Sequence, residues 1–360
     1  MSQKSLNHHR PININLDALR GICLSLVLAT HFFGNSRLPI DSQDLNSIWQ
    51  NFWILGSFGV TGFFVLSAYL LTSNFLNDAS FNTKCVNQYY ARRALRILPL
   101  YFLVLFVAIC YAAVSDKLSF GNFQSYLIFN ANQEAYKWDD LGILGHLWSI
   151  CVEVQFYILL PLLFVVKIKT RIFLVVIGIL ISVISRLVVS AEYPYPAVWN
   201  FTSSHLGAFG LGISIAYFSR SKSQLINSRR LWIFLLLNLA ALFIEAITLG
   251  SKIFSGQISS VTYLQAELIF SCAILITLRS ERILFPKFLS YLGKRSYGIY
   301  IYHWPILLIF KDQMGVGYLS LLQVIGLLSF TFLLGGLSYK FVERPFLNMK
   351  PYPREKSIPG

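Results

Sequence analysis

Charged residues, and acidic ones above all, are scarce in this chain. Only 16 of its 360 residues are Asp or Glu, against 30 Lys or Arg, and charged residues of both signs make up 13% of the sequence. Hydrophobic residues make up 55%, and the mean hydropathy is +0.59. The length alone would allow two soluble domains, but a composition so poor in charge argues against them. It is typical of a membrane protein whose chain crosses the bilayer several times.

Cysteine pairs are missing as well. Four of the five cysteines lie in apolar runs, and the fifth, Cys85, lies in a basic loop. The sequence has no CxxC spacing of the kind found in metal sites and redox pairs. We therefore interpret the cysteines as small apolar side chains and expect no metal.

Long apolar runs make up most of the sequence. Ten of them come near the 20-residue length that an α-helix needs to cross a bilayer. They cover residues 13–34, 51–76, 97–114, 145–166, 170–190, 199–218, 231–250, 260–279, 296–310 and 319–341. We predict an all-α fold, with a single membrane domain over residues 1–360 and about ten transmembrane helices. The second run is long and the third and ninth are short, so we expect tilted or kinked helices there.

The basic residues indicate how these helices are oriented. They cluster in alternate connections, as at Arg92, Arg93 and Arg96, whereas the intervening segments hold single ones such as Arg37 and Arg186. Because cytoplasmic connections carry the excess of Lys and Arg, we predict that both termini are cytoplasmic. The same pattern accounts for the net charge of +14. We expect a multi-pass protein of the inner (plasma) membrane, surrounded by membrane lipid, and no nucleic-acid partner.

The first apolar run carries two ionisable residues on one side of a helix. Arg20 and His31 are separated by ten uncharged residues. Their offset of eleven is about three helical turns, so both side chains share a face, about 16 Å apart along the axis. Ionisable groups at such depth are costly, which makes them candidates for function.

Each of the two residues also has an alternative interpretation. Arg20 is either a functional group or an interfacial anchor, which Asp17 would neutralise from three residues away. His31 is either a hydrogen-bonding group between helices or a functional imidazole. The functional interpretation is the sharper one, because an imidazole exchanges protons near neutral pH.

Two patterns flank the next connection. Gly56, Gly59 and Gly62 recur at every third residue of the second run, which allows local unwinding but favours close packing of helices. Arg93 and Arg96 lie one helical turn apart at the start of the third run. Membrane topology and a clamp for phosphate oxygens explain such a pair equally well.

Three carboxylates fall inside later runs. Glu153 has no basic partner within one turn, so it should be protonated or paired with another helix. Its spacing of seven from His146 places both on nearly the same helix face. Glu245 and Glu267 stand in no motif, and we interpret them as polar contacts between helices.

Polar residues also mark the last two runs. His303 lies in an aromatic cluster and Pro305 follows it, which is tolerated where helices line a cavity. The tenth run ends at Glu343 and Arg344, which we interpret as a charged pair at the membrane boundary.

The segments that carry these residues resemble the membrane-bound acyltransferase 3 family. The matching stretches are LDALRG with its following histidine (16–31), FFVLSAYLL (63–71), RRALRILPLY (92–101), LWSICVEVQFYILLPL (147–162), SYGIYIYHWPI (296–306) and ERPF (343–346). Ala68 stands where the family commonly has Gly, and Val154 where a second Glu is frequent. Neither departure removes a residue that we assign to chemistry.

This resemblance implies an O-acyltransferase that moves an acyl group, usually acetyl, from acetyl-coenzyme A at the cytoplasmic face. The acceptor would be a hydroxyl of a surface glycan or lipid-linked saccharide. Arg20 and His31 resemble the essential pair of the family. The alternative is a transporter of a sugar or organic anion, with the same polar residues lining its pathway.

The chemistry of such a transfer suggests a role for each candidate. It needs a base for the acceptor proton and alignment of the two substrates. We expect His31 to be that base. Arg20 would bind a phosphate of acyl-coenzyme A or polarise the path of the acyl group, and Arg93 and Arg96 would help to bind the donor at the cytoplasmic mouth. Glu153 or His303 would orient His31 or the acceptor.

Overall fold

The computed structural model describes residues 2–38, 42–77, 81–115, 123–133, 142–193, 197–220 and 227–349. Every regular element in these ranges is a helix, so the all-α prediction is confirmed. The α-helices are α1 (Ser2–Phe33), α2 (Gln43–Trp53), α3 (Gly59–Asn77), α4 (Thr83–Ser115), α5 (Phe123–Leu127), α6 (Trp148–Val165), α7 (Ile168–Glu192), α8 (Ala197–Asn200), α9 (Leu206–Phe218), α10 (Ser228–Leu249), α11 (Gly256–Arg279), α12 (Lys287–Lys294), α13 (Ser296–Met314), α14 (Leu321–Ser338) and α15 (Arg344–Asn348). Tighter 3-10 turns cover Ile54–Phe58, Ala131–Gln133, Gly142–Leu147, Thr202–His205 and Gly250–Phe254, and a π-helical turn covers Tyr339–Glu343.

Within these ranges, 8 helical segments are long and apolar enough to cross a membrane. They are Asn13–Phe33, Gln43–Asn77, Thr83–Tyr111, Gly142–Val165, Ile168–Glu192, Ser228–Phe254, Gly256–Arg279 and Leu321–Asn348. The chain is therefore a multi-pass membrane protein. The predicted spans 199–218 and 296–310 correspond mainly to α9 and α13, which are helical but fall outside this set. The count of about ten, the single domain over 1–360 and the cytoplasmic termini stay predictions.

Helix α1 lies at the centre of the bundle. It packs along α12 and also contacts α3, α11 and α13. Leu24, Val27 and Phe32 on this helix belong to the buried core. A central α1 brings residues from distant parts of the chain around the stretch that carries Arg20 and His31.

The long second span is broken, as its length suggested. A 3-10 turn over Ile54–Phe58 separates α2 from α3. A side chain at Gly56 would meet the carbonyl oxygen of Leu26 on α1, and one at Gly59 would meet that of Cys23. Only glycine allows backbones to approach this closely. The predicted close packing is confirmed, and α3 begins in contact with the middle of α1.

Helix α4 begins well before the predicted span 97–114. Tertiary contacts account for the additional turns, because the hydroxyls of Tyr89 and Tyr90 donate to backbone carbonyls of α6 at 3.1 and 2.9 Å. A polar, aromatic stretch that hydropathy leaves outside the span is thereby held against the bundle. Arg93 and Arg96 consequently lie within a continuous helix rather than in a connection.

Helices α7 and α11 are joined by a buried ion pair. Arg186, predicted from the topology to lie on the outer side of the membrane, is 0% exposed and pairs with Glu267, which is 1% exposed. The Arg186 Nε also donates to the Ser204 carbonyl at 2.8 Å. Arg186 is therefore a buried residue held by a carboxylate on a facing helix, and its side of the membrane stays a prediction. The interpretation of Glu267 as a contact between helices is confirmed.

Removal of one charge from this pair should destabilise the protein. E267Q leaves the Arg186 guanidinium buried without its counter-charge, which costs about 3–5 kcal/mol when a buried pair is broken. We expect a clearly lower midpoint of thermal unfolding for E267Q in detergent. The double variant R186M/E267L should lose less than E267Q alone, since it leaves no buried charge.

Glu245 supplies the matched control for this prediction. Its carboxylate accepts from the Gln265 side-chain amide at 3.0 Å, so it too makes a polar contact between helices, and a glutamine there can still accept that bond. E245Q should shift the midpoint much less than E267Q. Equal shifts in the two variants would contradict a special role for the Arg186 charge.

Candidate active site

Two cavities adjoin each other beside α1. The first, here the arginine cavity, is lined by Arg20, Arg93, Arg96, Glu153 and Tyr157 among others. The second, here the histidine cavity, is lined by His31, His146, His205, Trp148 and Trp304 among others. The two residues singled out on α1 therefore line different cavities, one near each end of their shared helix face.

The arginine cavity brings together basic residues from α1 and α4. Arg20 comes from α1, where its Nη1 lies 3.7 Å from Asp17 Oδ1. Lys294 of α12 contacts the other oxygen of Asp17 at 3.8 Å, so this carboxylate is shared between two cations. Arg93 and Arg96 reach the cavity from α4, one helical turn apart. Three guanidinium groups around one cavity form a suitable environment for an anion with several phosphate oxygens.

Glu153 lies in the same cavity and is held by neutral donors. Ser67 Oγ donates to its Oε1 at 2.6 Å, and the Tyr157 hydroxyl donates to the same oxygen. The expectation of a partner on another helix is confirmed, since Ser67 belongs to α3. Because Glu153 lines the arginine cavity and His31 lines the other, this structure does not bring Glu153 to His31.

His146 and Glu153, predicted to lie on nearly the same helix face, line different cavities. His146 belongs to the 3-10 turn that precedes α6, and Glu153 lies inside α6. Like Arg20 and His31, the two residues are separated along a helix axis, so their shared face stays a prediction.

His31 meets two aromatic residues of α13 in the histidine cavity. Its ring centroid is 5.1 Å from that of His303 and 4.7 Å from that of Trp304. His303 is fully buried and packs in turn against His146, with ring centroids 5.3 Å apart. Of the two residues expected to orient His31 or the acceptor, the structure places His303 against it.

Backbone carbonyls determine which nitrogen of these histidines can accept a proton. A carbonyl only accepts, so the His303 Nδ1 that meets the Tyr300 carbonyl bears the hydrogen, and in the neutral ring Nε2 is an acceptor. His146 has the reverse arrangement, with Nε2 donating to the Ile301 carbonyl at 2.9 Å. Among the described residues, neither His303 Nε2 nor His146 Nδ1 has a hydrogen-bond partner.

His205 is a cavity residue that the sequence did not single out. Its Nε2 donates to the Trp199 carbonyl at 2.7 Å, and its buried Nδ1 has no partner within the described ranges. The Arg186–Glu267 pair helps to fix it, because Arg186 binds the carbonyl of the preceding Ser204. Its place at the start of an apolar run was the available signal, but only tertiary contacts bring it to the cavity.

Glu343 differs from its interpretation as half of a boundary pair. Arg344 is exposed, as that interpretation requires, but Glu343 is only 5% exposed. The π-helical turn over Tyr339–Glu343 directs it inward against Gly298 of α13. π-Helical turns are frequent at functional sites. Glu343 is therefore buried while Arg344 is exposed, and the placement of the pair at the membrane boundary stays a prediction.

The described part of the chain offers no cluster for a metal. No group of three or more His, Cys, Asp or Glu side chains in these ranges is placed to hold an ion. The chemistry available at the two cavities is that of guanidinium groups, imidazoles, hydroxyls and one carboxylate.

Curated relatives are similar to most of this chain. A Bacillus subtilis protein with the provisional name peptidoglycan O-acetyltransferase YrhL is 27% identical over 94% of this chain and 55% of its own length. The peptidoglycan O-acetyltransferase OatA of Listeria monocytogenes is 24% identical over 95% of this chain and 57% of its own length. The O-acetyltransferase OatA of Staphylococcus aureus is 24% identical over 81% and 53%. The chain spans about half the length of these relatives.

No solved structure matches this chain. A family match, in contrast, covers nearly all of it. Residues 13–340 match the acyltransferase 3 family, which is described as an acyltransferase domain. This range contains Arg20 and His31 and the helices that surround them. The chain therefore belongs to the acyltransferase 3 family.

Proposed function

We propose that this chain is a membrane O-acyltransferase that moves an acyl group, in the first place acetyl, from acyl-coenzyme A to a hydroxyl of a cell-wall glycan. The observation that carries the proposal is the pair of adjoining cavities beside α1, one lined by three arginines and one by His31 among other histidines. The names of the relatives support O-acetyl transfer to peptidoglycan.

The arginine cavity is the proposed donor site. Coenzyme A carries several phosphates, and guanidinium forks bind phosphate oxygens with two parallel hydrogen bonds. In the predicted orientation this cavity lies toward the cytoplasm, where acyl-coenzyme A is available. Because the donor site must face the cytoplasm, we place the protein in the inner (plasma) membrane.

The histidine cavity is the proposed reaction site. It lies about 16 Å along α1 from the level of Arg20, since eleven residues separate Arg20 from His31. Coenzyme A has its thioester at the end of a long flexible arm, remote from its phosphates. A donor held by its phosphates among the arginines would extend that arm along α1 and present the acyl carbonyl to His31.

His31 is the proposed base. One imidazole nitrogen takes the proton of the acceptor hydroxyl while the hydroxyl oxygen attacks the carbonyl carbon of the thioester. The tetrahedral intermediate then expels the thiolate of coenzyme A, which receives the proton from His31. The products are the acylated glycan and free coenzyme A, and the imidazole is returned to its neutral form.

His303 is a positioning residue in this scheme. Its Nε2 is an acceptor without a partner in the described part of the chain, and its ring lies beside that of His31. A hydrogen bond from the His31 N–H to this nitrogen would leave the other His31 nitrogen free to act as the base. The Tyr300 carbonyl fixes the His303 tautomer that such a bond needs.

The proposal predicts that the acetyl group becomes covalently attached to the acceptor glycan, which a transported molecule would not show. Membranes that contain the protein are supplied with acetyl-coenzyme A labelled in the acetyl group and with peptidoglycan fragments. We expect label in the fragments and release of an equal amount of free coenzyme A. Membranes prepared without the protein are the control.

The same experiment tests the alternative of transport. Movement of the glycan across the membrane without incorporation of label would favour a transporter and overturn the proposed transfer. Release of coenzyme A without labelled glycan would show thioester hydrolysis, and it too would contradict the assigned acceptor.

A further inference from the structure

Two histidines that line the histidine cavity share the same hydrogen-bonding arrangement. In His146 and in His205, Nε2 donates to a backbone carbonyl, that of Ile301 at 2.9 Å and that of Trp199 at 2.7 Å. A carbonyl can only accept, so Nδ1 of each neutral ring is an acceptor. Within the described ranges neither Nδ1 has a hydrogen-bond partner, although the two residues are only 3% and 1% exposed. The cavity wall thus carries two buried acceptors that these parts of the chain leave unsatisfied.

Buried acceptors of this kind are rare in folded proteins. Leaving one without a partner is costly, and most buried polar atoms are therefore hydrogen-bonded. Two of them in the wall of one cavity indicate a bound molecule that supplies hydrogen-bond donors. Water can occupy such positions in the empty cavity and is then replaced by the ligand.

The backbone of each histidine is fixed by a separate contact. The His146 carbonyl accepts from the Tyr300 hydroxyl at 3.0 Å. Directly before His205, the Ser204 carbonyl accepts from Arg186 Nε at 2.8 Å. Both rings are therefore held at Nε2 and at the backbone, so that little ordering is needed when a ligand binds.

A glycan fits these nitrogens better than the acyl end of the donor does. In the proposed mechanism the two substrates meet at His31, which lines the same cavity. His146 lies close to this point, because it packs against His303 as His31 does, with ring centroids 5.3 and 5.1 Å apart. The thioester that reaches His31 offers only acceptor atoms, whereas a sugar ring carries hydroxyls that can donate.

The walls and the position of the cavity also suit a glycan. Tryptophans line it too, namely Trp148, Trp199 and Trp304. Ligand sites typically combine aromatic walls with a few polar groups that fix the orientation of the ligand. In the predicted topology, His31 lies near the outer end of the first span, and His146 and His205 lie in the outer halves of the fourth and sixth. A cell-wall glycan would approach from this outer side.

We propose that His146 and His205 bind the acceptor glycan, with each Nδ1 accepting a hydrogen bond from a sugar hydroxyl that is not itself acylated. This inference rests on the proposed function. The two bonds hold the sugar in the orientation that presents the reacting hydroxyl to His31. The proton of that hydroxyl passes to His31 alone, so His146 and His205 act in binding rather than as bases.

Glutamine and asparagine separate the binding role of these histidines from a packing role. A glutamine brings its amide near the position of Nε2, where it can still donate to the backbone carbonyl, but it has no atom at the position of Nδ1. H146Q and H205Q should each raise KM for peptidoglycan fragments about 2- to 12-fold, the range of one neutral hydrogen bond, and leave KM for acetyl-coenzyme A unchanged.

The asparagine variants should behave in the opposite way. An asparagine brings its amide oxygen near the position of Nδ1 and loses the bond to the backbone carbonyl. H146N and H205N should therefore raise KM for the fragments less than the glutamine variants do, but lower the midpoint of thermal unfolding more. A residue that only packs would show its largest effects on both quantities in the asparagine variants.

Fragments in which one hydroxyl is replaced by hydrogen provide a second measurement. With the unaltered protein, loss of a bound hydroxyl should lower kcat/KM by a factor similar to that of the glutamine variants. In the variant that lacks the nitrogen to which this hydroxyl binds, the same fragment should bring no further loss, because the two changes remove one interaction. Losses that multiply for every fragment would contradict a direct bond.

Ser204 provides the matched control. Its buried hydroxyl also lacks a partner in the described part of the chain and lies next to His205, but Ser204 lines neither cavity. S204A should leave KM for the fragments as it is.

The outcomes separate this inference from the function on which it rests. If the unaltered protein transfers acetyl to the glycan but H146Q and H205Q keep its KM for the fragments, the inference is overturned and the proposed function stands. A change at one position only would overturn the assignment of the other. If the unaltered protein transfers no acetyl group, the proposed function fails and this inference fails with it. If one glutamine variant does not fold, the other histidine and the altered fragments decide.

Discussion

H31A is expected to lower the rate of acetyl transfer to glycan by about 10²–10⁴-fold, the contribution usual for a positioned general base. The expectation follows from the place of His31 in the histidine cavity, against His303 and Trp304. The donor site should be left intact, because the arginines line the other cavity. The measurement is incorporation of label from acetyl-coenzyme A into peptidoglycan fragments at matched amounts of protein in the membrane.

Two further variants make this result interpretable. H31Q keeps a side chain that can form hydrogen bonds but cannot act as a base near neutral pH, so it should be as inactive as H31A. S25A alters a residue of the same helix whose hydroxyl bonds to the Gly21 carbonyl of its own turn, and it should transfer normally. A folded H31A or H31Q protein with full transfer would exclude His31 as the base.

R93A and R96A are each expected to raise KM for acetyl-coenzyme A about 10- to 100-fold. A hydrogen bond to a charged group contributes about 1.5–3 kcal/mol, and each variant removes a guanidinium from the proposed phosphate site. The effect on kcat should be smaller, because the reacting carbonyl lies in the histidine cavity. Lysine at either position should give an intermediate KM, since it retains the charge but loses the planar fork.

Arg92 is the matched control for these arginines. It belongs to the same basic cluster, but its Nη1 lies 3.5 Å from the Gln88 side-chain oxygen and it does not line the arginine cavity. R92A should therefore leave KM nearly unchanged. If R92A raised KM as much as R93A and R96A, the effect would come from the overall basic charge of this region, and a specific phosphate site would be contradicted.

The glycines before α3 determine where this helix meets α1. Gly56 and Gly59 allow α3 to start directly on α1, and this contact places Val60 between the two cavities. The sequence predicted close packing from the spacing of these glycines alone. It contained no indication that the next residue, Val60, would line both cavities together with Tyr300, since this depends on how α13 docks.

Helix ends are where local patterns predict least. A 3-10 turn that contains His146 precedes α6, and a π-helical turn over Tyr339–Glu343 directs Glu343 inward. The apolar runs indicate neither turn, because tertiary contacts decide the backbone geometry at helix ends.

Local sequence patterns were sufficient to predict an all-helical, multi-pass membrane protein with Arg20 and His31 on one face of its first helix. Both follow from local properties, because the bilayer sets the length of an apolar run and every α-helix repeats at 3.6 residues per turn. Three contacts could not be predicted in this way. They bring Arg20 together with Arg93 and Arg96, pair Arg186 with Glu267, and bring His303 to His31. These contacts join helices far apart in the chain, and their formation depends on how closely whole helices pack, which no local pattern of residues specifies.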